Sequence, residues 1–189
     1  MLSTRKVYAM ANLWGASETD NVGEADTIYG RNKALSECAV LAALGGRALV
    51  LRLSNVFGYE YNSAKPRRTF LALMLSNLRN AGVIRFDMRP NTRRDFIPAE
   101  ICAQHFIEAL ECRLNGVYNL GGGLPVACGE IAGWVMEGSG GGRLISTQND
   151  VRDEFFLNMD KWHARFPASI NMTVLKDYAI ELGRRLKDE

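Results

Sequence analysis

Short apolar runs and longer runs with a helical period alternate along the chain. Residues 47–53 are nearly continuous in apolar character and residues 5–11 form a shorter run, which predicts two buried parallel strands. Residues 28–44 carry apolar positions at the three- and four-residue spacing of a helix. Thr27 supplies a capping side chain in front of this helix, and Gly45-Gly46 ends it.

The apolar side of the 28–44 helix is predicted to be a stripe of small and medium side chains. The stripe consists of Leu35, Cys38, Leu41 and Ala42, and further alanines widen it. Small side chains allow helices to approach closely, so the stripe suits either the core or an interface between two copies of the chain.

The rest of the chain continues the alternation. Further helices are predicted over residues 69–81, 98–112, 127–137, 158–165 and 174–186. Further strands are predicted over residues 83–86, 117–120 and 143–147, and polar loops over residues 12–27 and 59–68. Strands that alternate with helices are typical of an α/β domain, and 189 residues are enough for such a domain to bury a core.

On the helix predicted over residues 98–112, one side is expected to face the interior. That side carries Ile101, His105, Ile107 and Leu110. His105 is interpreted as a core or surface residue and not as a metal ligand, because no other metal-binding side chain accompanies it.

Composition and charge exclude several function classes. Hydrophobic residues make up 47% and charged residues 23% of the chain, and the net charge of +2 gives no general case for nucleic-acid or membrane binding. No apolar run reaches membrane-spanning length, and the N-terminal residues do not form a signal peptide. The four cysteines are scattered and there are only two histidines, so we expect a cytoplasmic protein without a metal site.

Tyr29 and Lys33 form the main candidate for chemistry. They lie four residues apart in the predicted helix, which places their side chains on one face, one turn apart. A phenol ordinarily has a pKa near 10, and a neighbouring ammonium lowers that pKa by favouring the phenolate. The pair is therefore a candidate proton-transfer device, although the same spacing also arises by chance.

Two further stretches could either bind phosphate or form an ordinary turn or loop. Gly121-Gly122-Gly123 follows a predicted strand and could cradle a phosphate, but it lacks the G-x-G-x-x-G spacing, so we favour a turn. The loop over residues 59–68 contains Lys65, Arg67 and Arg68, which could contact phosphate. We favour a solvated surface loop there.

Four stretches in a fixed order resemble a known family. They are Val7 to Gly15, Tyr29 to Lys33 with Glu37 behind it, Leu51 to Gly58, and Arg94 to Ile97. The chain resembles the C-terminal part of an extended short-chain dehydrogenase/reductase, in the NAD-dependent epimerase/dehydratase family that acts on nucleotide sugars. The resemblance implies a partial Rossmann-like fold. This is a doubly wound parallel sheet without its first βαβαβ half, with a small C-terminal substrate-binding portion.

The resemblance also implies an organisation and an assembly. The 189 residues would form a single unit, with core elements at about 5–58 and 98–120 and substrate-binding parts at about 59–97 and 121–189. The helices over 28–44 and 69–81 would pair with their copies in a homodimer.

The resemblance implies a role for each of five residues. Tyr29 would be the catalytic acid/base at a sugar hydroxyl, and Lys33 would lower its pKa and hold the nicotinamide ribose of NAD or NADP. Asn55 would contact the diphosphate region of a nucleotide sugar. Arg94 would pair with the diphosphate, and Arg152 would be a second phosphate ligand.

The sequence departs from the family pattern in two respects. Met10 occupies the place of the catalytic Ser or Thr, and Ala11 and Asn12 occupy the places of the Asp-Glu pair of dehydratases, which disfavours a dehydratase of that type. The glycine-rich half that binds pyrophosphate is absent from these 189 residues, so we expect a truncated form or a fragment. The expected function is that of an NAD(P)-dependent nucleotide-sugar epimerase or reductase of which these residues are one part. The alternative is an inactive remnant that binds a nucleotide sugar or a partner chain.

Overall fold

The computed structural model describes residues 1–9, 14–22, 25–59, 69–146 and 153–187. The helices in these ranges are α1 (Ile28–Leu44), α2 (Phe70–Ala81), α3 (Ala99–Glu111), α4 (Cys128–Gly138), α5 (Asp160–His163) and α6 (Met172–Lys187). The first strands are β1 (Leu2–Thr4), β2 (Trp14–Ala16), β3 (Leu49–Leu53), β4 (Asn55–Phe57), β5 (Val83–Phe86) and β6 (Arg93–Arg94). The later strands are β7 (Phe96–Pro98), β8 (Gly116–Leu120), β9 (Val126–Ala127), β10 (Arg143–Ser146) and β11 (Phe156–Leu157).

The chain divides into two compact units, each built from three chain segments. The first unit comprises residues 1–56, 95–125 and 154–170. Its centre is a parallel sheet with the strand order β1-β3-β8, in which Leu51 lies between Leu2 and Tyr118. A core of fully buried side chains surrounds this sheet, and its largest members are Trp162, Tyr8, Phe155, Leu51, Ile97, Leu120 and Leu157.

The second unit comprises residues 57–94, 126–153 and 171–189. Strands β5 and β10 pair in parallel, and strands β6 and β9 pair antiparallel. Helices α4 and α6 pack against each other through glycines: a Cβ built at Gly183 would lie 2.1 Å from the carbonyl oxygen of Val135. The two helix backbones are therefore in direct contact at this point.

The prediction for the N-terminal residues is wrong in part. A strand was expected over residues 5–11, but β1 ends at Thr4 and residues 5–7 form a 3-10 turn. The Thr4 hydroxyl accepts a hydrogen bond from the Lys6 N–H at 3.3 Å, which favours the turn over a continued strand. Strand β2 also lies within the segment predicted as a loop over residues 12–27. Its partner is β11, and the paired residues Trp14 and Phe156 are 142 positions apart in sequence, which no local pattern indicates.

The predicted bounds of α1 are confirmed, and of the two places left open for its apolar stripe the core is excluded. The Thr27 hydroxyl caps the helix by accepting from the Gly30 N–H at 3.0 Å, and Gly45 follows with a φ of +51°. The expected stripe lies outside, since Leu35 is 69% exposed and Cys38 is also exposed. The helix instead buries Gly30, Ala34 and Glu37.

On α3 the buried side also differs from the prediction. Ile107 and Leu110 are about half exposed, whereas His105 and Ala109 are buried. His105 Nε2 lies 2.7 Å from the Ser169 hydroxyl and its Nδ1 lies 2.9 Å from a Glu108 oxygen. This agrees with the interpretation of His105 as a structural residue.

Candidate functional site

Helix α1 lies directly against the chain that follows β1. A Cβ built at Gly30 would lie 2.0 Å from the carbonyl oxygen of Lys6 and 3.1 Å from the Ala25 side chain. Only glycine fits at such a backbone approach. The glycine between Tyr29 and Lys33 therefore sets how closely their helix approaches the sheet.

A buried ion pair fixes the same helix one turn beyond Lys33. Arg52 on β3 donates from Nη2 to Glu37 Oε2 at 2.8 Å and from Nε to the same oxygen at 3.1 Å. The Ser3 hydroxyl on β1 donates to the other Glu37 oxygen. Both charged side chains are at most 5% exposed, so they need one another as partners. The pair thus joins α1 to β3 and to β1.

Tyr8 extends this network toward β8. Its hydroxyl donates to Asn119 Oδ1 at 2.7 Å and accepts from Arg52 Nη1 at 3.0 Å. Burial raises the pKa of Tyr8 to about 12, and the positive charge of Arg52 opposes that increase. Tyr8 is therefore a neutral structural phenol at physiological pH and is unsuited to proton transfer.

Tyr29 and Lys33 lie on α1 as the sequence predicts. The Tyr29 side chain is 54% exposed, so its phenol is accessible to a bound molecule. The Lys33 ammonium donates to the carbonyl oxygen of Leu2 on β1 at 3.1 Å, which anchors it one helical turn after Tyr29. A carbonyl is a neutral partner, so this contact places no negative charge beside the ammonium.

Asn55 lies where β3 ends and β4 begins. The Asn55 N–H donates to the Asp95 carbonyl at 3.3 Å, and residues 55–57 form a short strand. The side-chain nitrogen Nδ2 is buried, and the described part of the chain offers it no hydrogen-bond acceptor. A buried donor without an acceptor carries a free-energy cost that a bound acceptor removes.

Arg94 lies in the second unit, whereas Tyr29, Lys33 and Asn55 lie in the first. Its Nε donates to the Asp153 carbonyl at 3.1 Å, and its Nη2 lies 3.2 Å from Asp153 Oδ2. Several other predicted positions lie outside the described residues. These are Arg152, the Met10–Asn12 stretch, and the basic side chains Lys65, Arg67 and Arg68.

Asp95 is a buried residue that the sequence analysis did not single out, although it directly follows Arg94. Its carboxylate accepts from the N–H groups of Gly122 at 2.6 Å, Gly123 at 3.2 Å and Leu157 at 3.0 Å. A Cβ at Gly121 would lie 2.7 Å from the same carboxylate. Two of the three N–H groups with which this glycine cluster could cradle a phosphate are thus bound to Asp95, in agreement with the turn interpretation.

Metal centres and membrane-spanning helices are two further features that the described residues do not show. Among these residues, no three His, Cys, Asp or Glu side chains come together in a way that could hold a metal ion. None of the helices described is both long and apolar enough to cross a membrane.

Three solved structures with the same fold carry the names of nucleotide-sugar enzymes. TunA, an NAD dependent NDP-hexosamine 5,6-dehydratase involved in tunicamycin biosynthesis, matches with a TM-score of 0.79 and 16% identity, over 100% of this chain and 62% of its own. UDP-N-acetylglucosamine 4-epimerase from Methanobrevibacter ruminantium M1 matches with a TM-score of 0.79 and 17% identity, over 97% of this chain and 61% of its own. The dTDP-glucose 4,6-dehydratase of Bacillus anthracis str. Ames matches with a TM-score of 0.77 and 18% identity, over 100% of this chain and 61% of its own.

At these identities the likeness shows the fold, and it confirms the predicted partial Rossmann-like α/β class. The chain spans about three fifths of the length of these structures. No curated protein matches the sequence. The family model described as "NAD dependent epimerase/dehydratase family" matches residues 1–121, which is more than half of the 189 residues. The chain therefore belongs to the NAD dependent epimerase/dehydratase family.

Proposed function

We propose that the chain carries the acid/base residues of an NAD(P)-dependent oxidoreduction at a sugar carbon of a nucleotide sugar, as in an epimerase or a reductase. Tyr29 would move the proton of the sugar hydroxyl, and Lys33 would stabilise its phenolate form. The observation that carries the proposal is the exposed Tyr29 phenol on a helix that Gly30, Glu37 and the Lys33 anchor hold against the sheet.

The residues present fit one end of the cofactor. An exposed phenol and an anchored ammonium one turn apart suit the nicotinamide and its ribose, which Tyr29 and Lys33 would contact. The glycines at 122 and 123 do not suit the pyrophosphate, because Asp95 binds their N–H groups. When bound, the nicotinamide accepts a hydride from the sugar carbon or returns it.

Polar side chains are proposed to bind the nucleotide sugar. Asn55 Nδ2 is a buried donor that lacks an acceptor, and this fits a contact with the diphosphate region. Arg94 presents a guanidinium, whose planar set of donors matches phosphate oxygens. Arg152 is proposed as a second phosphate ligand. The solved complex of MoeE5 with UDP-glucuronic acid and NAD shares the fold, with a TM-score of 0.75 and 20% identity, and supports this ligand class.

A second candidate function is a catalytically inactive protein that binds a nucleotide sugar or a partner chain. Met10 favours it, because a thioether cannot donate the hydrogen bond that Ser or Thr gives to the sugar hydroxyl. Loss of one such donor typically lowers the rate by about 10²–10³.

Replacement of Tyr29 by Phe separates the two functions. The chain is incubated with NAD or NADP and a panel of UDP- and dTDP-sugars, and products are followed by chromatography and by absorbance of the reduced nicotinamide. For an enzyme we expect Tyr29→Phe to lower kcat by about 10²-fold or more, with little change in sugar-nucleotide affinity.

Tyr178→Phe on α6 is the matched control, and we expect it to leave turnover unchanged. Full turnover by Tyr29→Phe would refute the acid/base assignment. Binding of a nucleotide sugar without turnover by the unmodified chain would establish the second candidate.

A further inference from the structure

The guanidinium of Arg94 already faces a carboxylate within its own unit. Its Nη2 lies 3.2 Å from Asp153 Oδ2, and its carbon lies 5.1 Å from the centre of the Phe70 ring. The Arg94 side chain is 12% exposed and that of Asp153 is 31% exposed. A carboxylate is thus placed where the proposed function requires a diphosphate.

We propose that Asp153 is an intramolecular competitor of the diphosphate at Arg94, whose carboxylate sets the affinity of this guanidinium for a nucleotide. The inference rests on the proposed function, because it takes Arg94 as the diphosphate-binding residue. Asp153 then keeps weakly binding anions away from Arg94, because an incoming anion must displace a carboxylate that belongs to the same chain.

The electrostatic reason is that a carboxylate and a diphosphate repel each other on a single guanidinium. Two negative groups that share one cation come within a few ångströms of each other, and the partial burial of Arg94 limits screening by water. A diphosphate carries more negative charge than a carboxylate and presents more acceptor oxygens, so it can displace Asp153 where a monovalent anion cannot.

Asp153 contacts Arg94 in two ways that can be separated. Its backbone carbonyl accepts from Arg94 Nε at 3.1 Å, and its side-chain oxygen lies near Nη2. The backbone contact orients the guanidinium whatever the side chain is. Asp153→Asn therefore removes the competing charge and keeps the size of the side chain and the backbone acceptor.

The test is calorimetric titration of the full chain with UDP and, separately, with inorganic pyrophosphate. We expect Asp153→Asn to bind UDP about tenfold more tightly than the unmodified chain, and with a steeper dependence on salt. Arg94→Gln should bind at least about tenfold more weakly. Glu181→Gln is the matched control, because it changes the net charge by the same amount through a surface ion pair with Arg185, and its affinity should equal that of the unmodified chain.

The outcomes separate the two hypotheses. If Arg94→Gln weakens UDP binding and Asp153→Asn leaves it unchanged or weakens it, the competitor role is wrong and the diphosphate role of Arg94 stands. If Arg94→Gln leaves UDP affinity unchanged, the diphosphate role itself is wrong. Equal tightening by Asp153→Asn and Glu181→Gln shows a general charge effect and also overturns the competitor role. Thermal unfolding of each variant confirms that it is folded.

Discussion

Asp95 combines complete burial with an ionisable group. Burial raises its pKa from the ordinary 3.8 to about 6, although hydrogen bonds from Leu157, Gly122 and Gly123 favour the ionised form. The folded chain therefore holds this proton over a pH range in which the unfolded chain has released it. The stability that Asp95 contributes is fully present below about pH 3.8 and is lost as the pH rises through 6.

We expect this proton to be detectable both directly and in the stability of the fold. Carboxyl-carbon NMR of the labelled chain should show one aspartate that titrates near pH 6, above the ordinary range of this side chain. The free energy of unfolding should lose on the order of 2–3 kcal/mol from this one group between pH 4 and pH 7.

Asp95→Asn is the control that assigns the NMR signal and removes this part of the pH dependence. If that variant does not fold, the titration of the unmodified chain still shows whether one aspartate titrates near pH 6. A set of aspartates that all titrate below pH 5 would contradict the assignment.

At the scale of elements, the packing of α4 against α6 depends on glycines without room for a side chain. Gly183→Ala would place a Cβ about 2 Å from a backbone oxygen of α4, so the helices must separate. We expect a loss of about 1–3 kcal/mol in the free energy of unfolding, measured by denaturant titration.

Gly133 on α4 provides the matched control, because the space around its built Cβ is open. Gly133→Ala should stabilise the chain by about 0.5–1 kcal/mol through the higher helix propensity of alanine. Equal changes in the free energy of unfolding for Gly183→Ala and Gly133→Ala would show that the close contact between α4 and α6 does not determine the effect of the substitution.

Local sequence signals predict elements where the deciding groups are neighbours in the chain. The bounds of α1 follow from Thr27 and Gly45, which act within one turn. Its buried face does not follow from the apolar pattern, because Glu37 is stabilised inside by Arg52, which lies 15 residues further along the chain on β3. On α2 the apolar residues at helical spacing do mark the buried side, since Leu71, Met74, Leu75 and Leu78 are all buried.

The residues of the candidate site can likewise be predicted from the sequence only where the groups that interact are close together in the chain. Tyr29 and Lys33 are found from the sequence because one helix carries both. Asp95 is missed because its donors are 27, 28 and 62 residues away, and strands β2 and β11 are missed because two or three residues carry no period.

At the scale of the whole molecule, the exposed side of α1 indicates self-association. Ile28 is 71% and Leu35 69% exposed, and they lie seven residues apart on one face of the helix, where the exposed Ala39 and Ala42 follow them. We predict a homodimer in which α1 and α2 pair with their copies, as small side chains permit close helix packing.

Leu35→Glu should raise the dissociation constant of this dimer by about tenfold or more, because it places a charge in an apolar contact. Sedimentation velocity over a range of concentrations measures the effect. Leu110→Glu on α3, where the leucine is 53% exposed, is the control and should not change the association. A monomer at every concentration would contradict the prediction.

Each compact unit is assembled from three chain segments that alternate along the sequence, so the chain passes between the units five times. No single stretch of the gene therefore encodes either unit. A recombination event with one crossover therefore cannot combine one whole unit of one parent with the other whole unit of a second parent. Exchange of the whole second unit would need residues 57–94, 126–153 and 171–189 to be replaced together. We expect the ligand preference of such a chain to diverge by point substitution. We expect a chimera with a relative to fold only when all three segments of a given unit come from the same parent.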